Sequence, residues 1–408
     1  MSRMLAARPP ASAFALVGRI RLAYPISESG EPALRVRSSA GMDAKDRRTS
    51  RPDAKQKHPL LSRTRRNAGH ISLPEIEGGQ YHTVVHSDAT MKATDDGRGE
   101  GEKAVTLYYH ADPPEQGKER VLLIHGTGAN LDCWTWSNKE RKGCPAKPVL
   151  ERLHDAGYLV TRADLRGHGR SSEPDGPYSV ALLAADMAEL VKAIHPGEKV
   201  HVCGHSVGFG IATALVCDYP ELALSLAGSG FKSNMRMPSL YGFIVLALML
   251  QFREVFTFIL AWIFSRRSVN RLFERHLRSG LVINALLKEP KEFSKDFMIH
   301  TPWGGFCETA MAWQGFDYSH KLTSIQVPAL YIYPDYDRYG PVTETEFVAD
   351  ATKVKDSKVV IFGSDAEGKH YTHCFMFIEE GAGLYTDALI KHLKATAECS
   401  AVPPSNLP

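Results

Sequence analysis

The sequence is poor in the features that mark small secreted, metal-binding or membrane-spanning proteins. It holds seven cysteines in 408 residues: Cys133, Cys144, Cys203, Cys217, Cys307, Cys374 and Cys399. They are odd in number, scattered and without a C-x-x-C pair, which excludes a disulfide framework and a cysteine zinc site. Reduced thiols in a cytosolic or matrix compartment fit better. No internal repeat is visible, and Ser405–Pro408 matches no retention, peroxisomal or prenylation signal. With 33 Gly and 24 Pro, the composition is neither collagen-like nor wholly disordered.

A basic body is missing too. The formal net charge is +3, but residues 1–70 hold 15 Lys and Arg against five Asp and Glu, leaving 34 against 41 for the remainder. An acidic body argues against nucleic acid as a partner, because phosphate binding needs a concentrated basic surface. The leader, residues 1–77, carries Arg3, Arg8, Arg19 and Arg21 before its first acidic residue, Glu28, among Ala, Ser and Pro. That pattern fits an organelle transit peptide, mitochondrial or other. A secretory signal, a disordered tail, or a true start at Met42 or Met91 are the alternatives, and without targeting the protein would be cytoplasmic. Residues 43–70 show almost no apolar periodicity, so they are expected to stay unstructured.

An unbroken span of membrane length is also absent. Tyr241–Phe264 is the most hydrophobic stretch, but Gln251, Arg253 and Glu254 interrupt its middle. Its Leu, Ile, Phe and Val residues favour insertion by roughly −6 kcal/mol, while two central charges oppose it by about +5 to +7 kcal/mol. Two short helices of a cap fit that balance better than a spanning helix. Arg266, Arg267, Arg271, Arg275 and Arg278 come next and either meet anionic headgroups in a peripheral membrane contact or solvate a helix face.

What is present from about Gly78 is alternation. Tyr81–His86 and Lys103–His110 read as antiparallel edge strands. Arg120–His125 is an apolar run suited to a strand buried on both faces. Then come Tyr158–Ala163, a helix over Val180–Ile194, Lys199–Gly204, a helix over Phe209–Asp218, and Leu222–Ala227. The pattern stops near Phe231 and returns at Val327–Tyr333, Lys358–Phe362 and a helix near Gly383–Lys394. Such alternation predicts an α/β fold with a doubly wound, mostly parallel sheet. It divides into a core over 78–231 and 316–397, a helical cap over 232–315, and a disordered tail over 398–408.

The chemistry centres on Gly204-His205-Ser206-Val207-Gly208, set between a buried strand and an apolar helix. G-x-S-x-G there implies a tight turn that exposes Ser206 at a helix N-terminus. His125-Gly126-Thr127-Gly128 comes directly after the third strand, so the amides of Thr127 and Val207 are the expected oxyanion donors. Pro334-Asp335-Tyr336-Asp337 ends a later strand, with Asp337 preferred as the acid and Asp335 in reserve. Gly368-Lys369-His370-Tyr371-Thr372-His373 lies beyond the last strand; His370, nearer the strand end, is preferred as the base over His373.

These motifs resemble the α/β-hydrolase superfamily, in its capped esterase, lipase and thioesterase branch. Asp164-Leu165-Arg166-Gly167-His168-Gly169-Arg170-Ser171 is similar to the family's D-x-R-G-x-G-x-S segment, and Phe316-Asp317 through Val327-Pro328 to the run into its acid-bearing strand. The resemblance implies an α/β-hydrolase sheet with a helical cap, Ser206, Asp337 and His370 as nucleophile, acid and base, and no cofactor. The expected activity is serine hydrolysis of a small lipophilic ester or thioester in lipid metabolism. An acyltransferase using the same acyl-enzyme and a non-catalytic ligand-binding protein are the rivals. Pro334 departs from the glycine common in the family, and the loop before His370 is longer than usual.

Overall fold

The computed structural model describes residues 73–97, 99, 101–136, 147–230, 233, 300–314, 316–337, 350–351, 353–354, 356–363, 368, 370–377 and 379–400. All of them lie in one compact unit spanning residues 64–408; a second unit, 1–63, is outside the described set, as are most of the leader, Tyr241–Phe264 and the arginines after it.

Strands β1 (Gln80–Val85), β2 (Ala104–Ala111), β3 (Arg120–Ile124), β4 (Leu159–Ala163), β5 (Val200–His205), β6 (Ala223–Ser229), β7 (Ala329–Pro334) and β8 (Lys358–Phe362) form one sheet. Their order is β1-β2-β4-β3-β5-β6-β7-β8. From β4 to β8 every pairing is parallel, while β2 runs antiparallel to both β1 and β4. The expected edge position of Lys103–His110 is thereby corrected. Its run from Val105 to Tyr109 is buried throughout rather than alternately, as suits a strand paired on both sides.

Each interior strand feeds both layers of core because its side chains alternate. Leu122, Ile124, Val200 and Val202 join one apolar cluster, with helices α3 (Val180–Ile194) and α4 (Val207–Asp218). Val121, Leu123 and Cys203 join the other, with α2 (Val149–Asp155) and the long α6 (Glu379–Ser400). Each buried Val, Leu or Ile stabilises by about 1.5–3 kcal/mol relative to exposure. Helix α3 starts where Ser179 caps it, its hydroxyl accepting from the Leu182 amide at 3.0 Å. The short helix α1 (Asp88–Thr94) packs against α3.

Two boundaries shift. Helix α5 (Trp303–Gln314) falls within the expected cap, yet it packs on α3 and α4 and places Ala312 in the core. Its Gly305 lies against Gly167 of the loop after β4, where a Cβ on Gly305 would stand 2.6 Å from the Gly167 Cα. Helix α6 continues to Ser400, past the expected Lys394 and into the expected tail. Among the described residues, no helix is long and apolar enough to cross a membrane.

Candidate active site

The chain reverses its winding at β3, where β4 lies on one side and β5 on the other. In an open α/β sheet the crevice beyond the strand ends at such a switch point is the place for a ligand. The expected reactive segments sit at the C-terminal ends of β3, β5, β7 and β8.

Ser206 links β5 to α4 with φ 55° and ψ −130°, a conformation that costs roughly 1–3 kcal/mol and must be held by its surroundings. Its amide donates to the Ser229 carbonyl at 2.8 Å, and its carbonyl accepts from the Phe209 amide at 2.8 Å. Two residues on, Gly208 passes so close to the end of β3 that a Cβ there would meet the His125 carbonyl at 2.5 Å. Val207 opens α4, so its amide has no acceptor within the helix and lies where the dipole favours negative charge.

Across from the elbow, the loop after β3 touches the serine: a Cβ on Gly126 would lie 2.9 Å from the Ser206 Cβ and 3.5 Å from its Oγ. Two buried imidazoles hold this loop. His125 accepts from the Leu165 amide through Nε2 at 3.0 Å, which leaves Nδ1 to donate to the Gly126 carbonyl at 2.8 Å. His168 accepts from the Gly128 amide through Nε2 at 3.2 Å and donates through Nδ1 to the Arg166 carbonyl at 3.1 Å. Burial, above all, pushes His125 down to about 3 and His168 to about 4, so both are neutral at pH 7.

The segment 164–171 is a brace. Asp164 accepts from the Leu131 and Arg170 amides at 2.7 and 2.8 Å, while burial raises its pKa to about 6. Arg166 forms a two-pronged pair with Asp186, 2.6 Å on each prong, and His86 reaches the same carboxylate at 2.7 Å. Burial alone would raise the Asp186 pKa; the Arg166 charge and hydrogen bonds hold it below the ordinary carboxylate value.

The acid and base segments form two pairs, and the expected partnership of Asp337 with His370 is corrected. The Asp337 carboxylate accepts from His373 Nδ1 at 2.9 and 3.0 Å, with the side chains 0% and 8% exposed. His370 instead pairs through Nδ1 with Asp335 at 2.7 Å, its side chain 60% exposed and stacked on Tyr336. The two imidazoles differ in their neighbours on the C-terminal side. His373 leads into Cys374-Phe375-Met376-Phe377, all buried, so the chain carries it inward. His370 precedes that anchor and stays at the surface.

The His373 ring lies 4.8 Å from that of His205, the residue before Ser206, which sets the inner pair beside the elbow. His205 donates through Nδ1 to the Ser229 hydroxyl at 3.1 Å, and that hydroxyl donates to the Met376 sulfur. Burial, with His373 nearby, holds His205 well below its ordinary pKa. Gly230, which no sequence motif singles out, backs the inner pair: a Cβ there would stand 2.7 Å from His373 Cε1 and 3.4 Å from Asp337 Oδ2. Its one signal is that of a small residue directly after a buried strand. Among the described residues, no group of three His, Cys, Asp or Glu comes together that could hold a metal ion.

Comparison with known proteins places the fold. A profile described as the alpha/beta hydrolase fold matches residues 119–368. The chain is 33% identical over 168 residues to the dihydrolipoyllysine-residue acetyltransferase component of the acetoin cleaving system of Cupriavidus necator, covering 39% of this chain and 40% of that protein. It is 27% identical over 259 residues to protein ABHD8 of Homo sapiens, covering 60% and 50%. It thus spans half or less of the length of these two curated relatives. In structure it is similar to a thermophilic esterase from Thermogutta terrifontis, with TM-score 0.54 and 17% identity over 78% of this chain and 99% of that one. That last likeness is one of fold.

Proposed function

The chain belongs to the alpha/beta hydrolase fold family, and on that footing we propose that it is a serine hydrolase cleaving a carboxylic ester or thioester through an acyl-enzyme on Ser206. The observation that carries this reading is Ser206 itself, held in a left-handed backbone conformation at the head of α4 with the Asp337–His373 pair packed against its neighbour His205.

In this mechanism Ser206 Oγ attacks the carbonyl carbon while its proton passes to His373 Nε2. Asp337 keeps Nδ1 protonated and stabilises the imidazolium that forms. The Thr127 and Val207 amides receive the oxyanion, a role worth about 10²- to 10³-fold per donor. Collapse expels an alcohol or thiol, which takes the proton from His373. Water then attacks the acyl-enzyme, giving its proton to His373, and the acid leaves as Ser206 is regenerated. The apolar sequence at Tyr241–Phe264 favours a lipophilic acyl group.

Labelling with an active-site fluorophosphonate tests the reading. Ser206→Ala should abolish it, and retained labelling would place the nucleophile elsewhere. The similarity to a protein named as an acetyltransferase component supports a second reading, in which a thiol or alcohol replaces water. Product analysis with a competing thiol separates the two.

A further inference from the structure

We propose that the hydroxyl of Thr127 is a third donor to the oxyanion, alongside the backbone amides. Thr127 Oγ1 is buried and has no hydrogen-bond partner among the described residues. Burying a hydroxyl unpaired is unfavourable, and such groups in folded proteins call for a reason. Here the reason is position. Thr127 comes next after Gly126, where an added Cβ would lie 2.9 Å from the Ser206 Cβ and 3.5 Å from its Oγ. Its amide and its hydroxyl share one Cα, so a single substrate oxygen can receive both.

The flanking peptides keep it there. The Gly126 carbonyl is held by His125 Nδ1–H at 2.8 Å and the Gly128 amide by His168 Nε2 at 3.2 Å. With the backbone pinned on either side and a β-branched side chain of few rotamers, the hydroxyl is placed before substrate arrives. A donor aimed in advance at developing charge lowers the barrier without reorganisation. No bond changes at Thr127: it donates a hydrogen bond and keeps its proton. His125 and His168 act through these backbone hydrogen bonds, as positioning residues.

This inference rests on the acyl-enzyme reading, and the experiment separates the two. Thr127→Val keeps the shape and removes the hydroxyl; Thr127→Ser keeps the hydroxyl. The readouts are the second-order rate of fluorophosphonate labelling, kcat and KM for p-nitrophenyl butyrate, and Tm. For Thr127→Val, labelling rate and kcat should fall about 10²-fold with KM within threefold, as for loss of an oxyanion donor. Its Tm should hold or rise, because an unpaired hydroxyl has been replaced by a methyl. Thr127→Ser should restore most of the rate.

Wild-type rates in Thr127→Val would overturn the proposal, showing the hydroxyl unused or satisfied by a trapped water. A raised KM at constant kcat, or a Tm that falls together with the rate, would overturn it as well. If Ser206→Ala is silent while Thr127→Val is normal, only the third donor is lost. If Ser206→Ala still labels, the acyl-enzyme reading fails and this inference with it.

Discussion

Gly230 and His373 approach so closely that a Cβ on the glycine would stand 2.7 Å from the imidazole Cε1. Gly230 also has φ 75°, where an added side chain is strained. Gly230→Ala should therefore displace the imidazole from Asp337, lowering the fluorophosphonate labelling rate at least tenfold. The accompanying loss of stability should be about 1 kcal/mol or more. Thermal melting and labelling kinetics on the same preparation check this; undiminished labelling would take His373 off the reaction path.

The two imidazoles of the last loop should separate cleanly. His373→Ala should cost about 10⁴-fold or more in turnover, as for removal of a general base. His370→Ala should stay within threefold, since its exposed pair with Asp335 contributes little. Steady-state kinetics on p-nitrophenyl esters decide, and the reverse order would move the chemistry to the outer pair.

At the elbow, Gly208→Ala should destabilise the fold by about 2–4 kcal/mol, because its Cβ would run into the Ile124 and His125 carbonyls, neither of which can swing aside. A shift in the denaturant midpoint at unchanged m-value is the expected signature.

Stability should fall as pH drops from about 6.5 to 4. Burial, the leading cause in each case, holds His125 to about 3 and His168, His195 and His392 to about 4. In the unfolded chain each takes a proton near 6.5. The unfolded state thus binds more protons across this window, and stability rises with pH by up to about 1.4 kcal/mol per unit for each histidine. Asp164 opposes them between about 4 and 6, since its folded carboxyl keeps its proton up to about 6. Four imidazoles outweigh one carboxyl. Melting temperatures measured from pH 7 to 4.5 should decline, and His168→Gln should flatten the slope; a level profile would mean that these rings titrate freely.

The sequence made the elbow legible because the strand before Ser206, the glycines around it and the helix after it are all local features. The doubly wound order came from alternation, and the placing of His125 and Thr127 beyond β3 from their position in that order. The choice between His370 and His373 rested instead on distance from the strand end, a weaker cue than the buried Cys374–Phe377 run that draws His373 inward. Gly230 was illegible for another reason. Its constraint comes from residues over a hundred positions away, which no local pattern records. The same holds for β2, whose second neighbour, β4, lies beyond β3 in the chain.

The insertion between β6 and α5 departs from the sheet beside the glycine that backs His373 and returns through Gly305, pressed on the loop bearing His168. At Gly305 the neighbour is the Gly167 backbone, whereas at Gly230 it is the side chains of His373 and Asp337. Bulk added at either end of the insertion would therefore be felt at once, in the loop bearing His168 or in the acid–imidazole pair itself.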